Sequence, residues 1–277
     1  MTTGALIFAF DNENTRYLDL AAWSAERIHR HLNIPVAVVT NRPIQADDNF
    51  DYVIHTDSGD ANRKLFDDYN NQASWHNTRR TDAYALTPFD QTLVLDADFV
   101  INSDALTAYF DSPADFLCYK DAFSVNQSDN EFLDEYNTFG SHRFPMWWAT
   151  VMLFRKSNTA AYIFDCMNMI RQNWKHYIDL YGIQSSMYRN DFALSIALGI
   201  VSGHTLKVDT FNGALATVLP TQHIQQLTDT MWQFNWKSNG RQHNVALAGL
   251  DFHAMCKKDL GEIVEAHRRA RLCDTGS

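Results

Sequence analysis

The sequence predicts an α/β protein with a mostly parallel central sheet flanked by helices, and three observations carry that expectation. Short β-branched apolar runs near the N-terminus enclose a stripe of helical period. A further apolar run, Thr92-Leu93-Val94-Leu95, ends abruptly at Asp96 and Asp98. The chain of 277 residues, 45% apolar and 20% charged, has an ordinary globular mix and the length for a sizeable core.

Gly4 to Phe10 reads as a buried strand. The polar "DNENT" after it has helix-start chemistry, with Asn14 or Thr15 as cap. Leu18, Ala21, Ala25, Ile28 and Leu32 share one helical face, which Asn33 closes. "PVAVVT" follows as a second strand, and a strand, helix and strand so close together form a βαβ unit with parallel strands. "FDYVIHT" is a third strand. A helix is expected from about Ala73 to Leu86, then a "PFD" turn, then the strand that stops at Asp96. Asp115 to Lys120 and Met146 to Lys156 are further strands, and "HTLKVDT" and "NVALAGLDFHA" are strand candidates. Helices are expected in "NTAAYIFDCMNMIRQNW", from Met187 to Leu198, and from Leu260 to Arg271. The polar stretch around Asn126 to Ser141 reads as a loop and, by composition, as a lid. No repeat or Pro/Gly-rich linker divides the chain, so residues 1–277 are read as one domain.

A formal charge of −10 argues against attraction of nucleic acid or anionic lipid over the whole surface. His29, Arg30 and His31 read as the solvated face of a helix. Cys118, Cys166, Cys256 and Cys273 are scattered, without zinc spacing, as reduced thiols of a cytoplasmic protein are. No run is long and apolar enough to span a bilayer, and "MTTGALIFAF" lacks the basic start of a signal peptide. Seven Trp and eleven Tyr provide rings for a cleft as well as for packing.

Asp96 and Asp98 pose the chemical question. In an open parallel sheet, ligands bind beyond the carboxyl ends of the strands. Two carboxylates one residue apart at such an end repel unless a cation lies beside them. A divalent metal with oxygen ligands answers that need and can neutralise a pyrophosphate leaving group. A short acidic pair also arises as a helix cap in a solvated turn, so its position at a strand end is what favours the metal.

"RRTDAYALTPFDQTLVLDADFVINSD" resembles the core of GT-A glycosyltransferases, in particular the glycogenin-like and galactosyltransferase-like group. The resemblance implies the GT-A (Rossmann-like) fold, with a nucleotide-binding half of about 1–120 and an acceptor-side half of about 121–277. It implies metal-dependent transfer of a hexosyl or pentosyl group from a nucleotide sugar, by default UDP-linked, with retention. Arg80, or Arg79 in the alternative register, falls where that group contacts the diphosphate. Phe8, Ala9, Phe10 and Asp11 fall in the nucleobase pocket, where Tyr17 stacks or packs, and Asp96 and Ala97 lie against the nucleotide. "FPMWWATVMLFRKS" is similar to a strand that reads "NAGVMLF" in relatives, with Trp148, Ala149 and Thr150 in place of its usual residues. One of Trp147 and Trp148 is expected to face the sugar. Asp191 of "YRNDFALSIAL" matches an acid near the donor sugar, as base, sugar ligand or helix cap. "LDFHAMCKKDL" resembles "HxxGxxK", which makes His253 the third metal ligand, with Asp96 and Asp98, and puts Lys257 or Lys258 on the diphosphate. Cys256 replaces the glycine, and the lysines come early. The implied metal is Mn2+, with Mg2+ as the second choice. The acceptor is open among a glycan, a protein, a small molecule and modified DNA. The rival classes are a sugar-phosphate nucleotidyltransferase, which the glycine-free "AFDNENT" argues against, and a non-catalytic nucleotide-sugar-binding protein.

Overall fold

The computed structural model describes residues 1–47, 49–66, 71–126 and 137–274. In chain order it contains β1 (Thr3–Phe8), α1 (Tyr17–Leu32), β2 (Val36–Thr40), β3 (Tyr52–His55), β4 (Asn62–Phe66), β5 (Asn71–Trp75), α2 (Ala83–Leu86), β6 (Gln91–Leu95) and β7 (Phe99–Val100). There follow β8 (Phe116–Tyr119), β9 (Ala122–Ser124), β10 (Thr138–Phe139), β11 (Phe144–Pro145), β12 (Trp148–Arg155), α3 (Asn158–Gln172), α4 (Trp174–Tyr181) and α5 (Asn190–Val201). The chain continues with β13 (Leu215–Val218), β14 (His223–Gln226), β15 (Met231–Ser238), β16 (Arg241–Ala248), β17 (Phe252–Ala254) and α6 (Lys257–Asp274).

The central sheet has the order β3-β2-β1-β6-β12-β8 and is mostly parallel, as the sequence predicts. β1 runs parallel to β2 and to β6, whereas β12 is antiparallel to its neighbours β6 and β8. Every residue of β2 and β6 is buried, which explains their continuous apolar runs: a strand covered on both faces has no solvent side to alternate toward. The strand order reverses between β1 and β6. Ile7 pairs with Leu95, so the loops after these strands leave the sheet side by side at the reversal, where open α/β sheets form a crevice.

A second sheet, β7-β17-β13-β9, grows from the end of β6. Its two-residue strand β7 pairs antiparallel with β17, with His253 opposite Phe99. A third sheet, β14-β15-β16, is an antiparallel meander. Its β15–β16 turn is Asn239-Gly240, both with positive φ (50° and 74°), the pair a tight hairpin with right-handed twist requires.

Several elements differ from expectation. The stretch 73–86 gives the end of β5, a 3-10 turn at Thr78–Asp82 and only the short α2, because β5 pairs with β4 as a hairpin. "HTLKVDT" is not a strand: His204 and Leu206 have φ of 58° and 56°, and Thr210 alone bridges to Cys118. "NVALAGLDFHA" divides at Gly249 (φ 66°) into β16 and β17, which belong to different sheets. α1 is capped by neither Asn14 nor Thr15. The Asn12 side chain folds back onto their N–H groups at 2.9 and 2.8 Å, and Asp11 Oδ1 accepts from Leu18 N–H at 3.0 Å. α1 does end at Asn33, in the left-handed conformation with φ 51°. The expected lid falls largely on 127–136, outside the described residues. Among the described residues, no helix is long and apolar enough to cross a membrane.

Candidate metal and diphosphate site

Asp96 and Asp98 leave the end of β6 at the strand-order reversal. A side-chain oxygen of each, and a ring nitrogen of His253, lie within 4.8 Å of one another. Residues far apart in the chain meet here because of backbone pairing. β17 lies against β7, and Ala254 N–H donates to the Asp98 carbonyl at 2.9 Å. His253 is thereby brought over the acids, with Nε2 at 3.6 Å from Asp98 Oδ1.

A second network maintains that pairing. Asp251 Oδ1 accepts from Asn102 and Ser103 N–H at 2.6 and 2.9 Å, and its Oδ2 accepts from Ser103 Oγ at 3.0 Å. The Asn102 side chain donates to the Leu250 carbonyl and accepts from the buried Arg27 and, at 2.7 Å, from Trp232 Nε1. The Val100–Phe252 end of the β7–β17 ladder is therefore tied by groups that would cost free energy if left unpaired.

Two cations serve the acids directly. The buried Arg80 guanidinium pairs with Asp96 and donates to the Ala149 carbonyl at 2.7 Å. Lys257 Nζ is 2.5 Å from Asp98 Oδ2. Asp98 is 6% exposed and Asp96 32% exposed, so Asp96 is the less covered of two largely enclosed carboxylates. Burial alone would raise the Asp98 carboxyl, but Lys257 and then His253 more than offset it and hold it well below the ordinary range. At Asp96, burial prevails over the pull of Arg80, and the Asp98 charge adds to the upward shift. Lys257 is pushed up: the Asp98 charge outweighs the effect of burial. Tyr17, at the start of α1, is a further electrostatic neighbour of Lys257.

Asp191 joins the site through one residue of β12. The pairing of β12 with β8 shifts register between Trp148 and Met152, so Ala149 is free of that ladder. Ala149 N–H donates to Asp191 Oδ1 at 2.9 Å while its carbonyl accepts from Arg80. Asp191 Oδ2 accepts from Arg189 at 2.8 Å. Burial would raise this carboxyl, yet Arg189 and the Ala149 N–H keep it below its ordinary value. A continuous path thus runs from Asp96 through Arg80 and the Ala149 peptide to Asp191.

The other expected residues sort as follows. Ala97 is buried between the two acids. Ala9 and Phe10 are buried after β1, with the Phe10 ring 6.5 Å from that of His76. Phe8 is partly buried, and Asp11 caps α1 and lies 4.0 Å from Arg42. Trp147 and Trp148 are both buried, at 1% and 5% exposure, so neither shows the open ring face expected of one of them. Arg79 pairs with Asp57 and Asp82 at the surface, so Arg80 is the arginine on the acids. Lys258 lines a groove between the start of α1 and α6, with Arg16, Asp19 and Glu262, that includes none of the three ligand candidates. Arg189 and Asp251 were not anticipated. The signals present are a basic residue two before Asp191 and an acid two before His253.

The residues suit a divalent cation. Two carboxylate oxygens and an imidazole nitrogen match the preferences of manganese-like ions. His253 Nδ1 is buried without a hydrogen-bond partner among the described residues.

No family model matches the sequence, and no curated protein matches it. Among solved structures it is similar to the galactosyltransferase LgtC in complex with donor and acceptor sugar analogues, at 16% identity and a TM-score of 0.46, over 79% of this chain and 76% of that one. It is similar to the glycosyltransferase GlyE of Streptococcus pneumoniae TIGR4, at 12% identity and a TM-score of 0.41, over 76% of this chain and 46% of that one. It is also similar to the bifunctional glycosyltransferase WbbM, at 15% identity and a TM-score of 0.40, over 76% and 38%. All three are glycosyltransferases, and the chain spans less than half the length of GlyE and WbbM. At such distances the site, not the likeness, has to support a function.

Proposed function

We propose that the chain is a metal-dependent glycosyltransferase that takes a sugar from a UDP-linked donor. The observation that carries this reading is the convergence of Asp96, Asp98 and His253 at the strand-order reversal, with Arg80 and Lys257 beside them. Asp96, Asp98 and His253 would hold the cation, which when bound supplies positive charge to a diphosphate leaving group. Arg80 orients Asp96, and Lys257 is the mobile-headed cation within reach of the same phosphates. Fixed positive charge where negative charge grows lowers the barrier to departure.

Retention of anomeric configuration is part of the proposal. An inverting enzyme needs a free general base beside the acceptor hydroxyl. Both oxygens of Asp191 are engaged and its pKa is lowered, which makes it a poor base and a better anchor near the donor sugar. The test is release of nucleoside diphosphate from a panel of nucleotide sugars with Mn2+. Turnover of at least one donor is expected, falling by about 100-fold or more in D98N. Tight Mn2+-dependent donor binding with no turnover of any donor would move the chain to the binding class.

A further inference from the structure

The ammonium of Lys257 stands where a cation for Asp98 is needed. Lys257 opens α6, a position where the helix dipole disfavours positive charge. Its side chain is nevertheless only 12% exposed, with Nζ 2.5 Å from Asp98 Oδ2. Arg80 serves Asp96 in the same way. Arg80 and Lys257 each pair with one of the two carboxylates, so each acid already has a cation beside it without a metal. A dication held between Asp96, His253 and Asp98 Oδ1 would lie beside the ammonium on Oδ2 of the same carboxylate, where the two like charges repel at short range.

Resting on the glycosyltransferase reading, we propose that Lys257 is an internal counter-ion that couples metal binding to donor binding. In the free protein it occupies Asp98 and keeps the site a weak one for the bare metal. A nucleotide diphosphate brings negative charge that offers the ammonium a second partner. The Lys257 head then leaves Asp98 for the phosphates, and Asp98 turns to the metal. Metal and diphosphate therefore bind with strong mutual enhancement, each raising the affinity for the other by the same factor. The two arginine–carboxylate contacts in the site do not exchange in this way, because Arg80 is also tied to the Ala149 carbonyl and Arg189 serves Asp191.

The test is Mn2+ binding followed through the paramagnetic resonance signal of the free ion, with and without UDP. Wild type, K257Q and K257R are compared, and melting curves of each are recorded with and without Mn2+. K257Q is expected to bind Mn2+ alone about tenfold more tightly than wild type, with K257R remaining as weak as wild type. K257M, which keeps the apolar stem, is read in the same way if K257Q does not fold. The Mn2+-induced rise in melting temperature is expected to be larger in the neutral variants than in wild type. Wild type that takes Mn2+ with UDP, beside neutral variants that bind Mn2+ alone no more tightly, overturns the counter-ion role and leaves the glycosyltransferase reading standing. Absence of Mn2+ binding in every protein, with and without UDP, overturns both.

Discussion

Asp191 shows how much a single side chain can do at the rim of the site. Its Oδ1 joins α5 to β12 through the Ala149 N–H, and its Oδ2 holds Arg189 at the start of the helix. Because its folded-state pKa is depressed, the stability it contributes is present above the ordinary aspartate pKa of about 3.9 and is lost as pH falls through the lower folded value. D191N should therefore be less stable than wild type at neutral pH, by about 1–3 kcal/mol. That gap should hold down to about pH 5 and close in stronger acid. Denaturant melts of the two proteins across the acid range check this, and a gap that widens as pH falls would contradict it. The acids were legible in the sequence at this scale because each interrupts an apolar pattern: Asp96 and Asp98 stop a buried strand, and Asp191 opens a helix. Their partners were not. Arg80 could not be separated from Arg79 until the 3-10 turn at Thr78–Asp82 turned one inward and left the other on Asp57. Alternation along a strand predicts one of the paired tryptophans in and one out, whereas both are buried.

Short elements, rather than long ones, assemble the site. β7 has two residues and β17 three, yet their pairing carries His253 to Asp98. The Asp251 side chain ties that pairing with three hydrogen bonds to Asn102 and Ser103. D251A should cost about 1–3 kcal/mol in stability and weaken Mn2+ binding with UDP, whereas D251N, which keeps one acceptor, should retain part of both. Chemical denaturation and Mn2+ titration of the two variants check this, and metal affinity equal to wild type in D251A would contradict it. The β1–α1–β2 unit was readable because its periods of 2 and 3.6 are sustained over whole elements. Strands of two or three residues have no period to read, which is why the second sheet was not foreseen. The β15–β16 hairpin was not foreseen either, although Asn239-Gly240 between β-rich runs states it locally.

At the scale of the molecule, the central sheet makes the crevice and the second sheet supplies its third ligand candidate, His253. The parallel strands β1, β2 and β6 follow from continuous apolar runs, and their order sets the loop after β1 against the acids after β6. The charge balance of the chain agrees with a small anionic ligand held by a few placed cations instead of a broad basic surface. The most direct measurement is calorimetric titration of UDP into the protein with and without Mn2+, with D98N alongside. The account predicts binding to wild type that is strengthened at least about 100-fold by Mn2+ and loses that gain in D98N. UDP binding that is the same with and without Mn2+, or that keeps its full Mn2+ dependence in D98N, would contradict it.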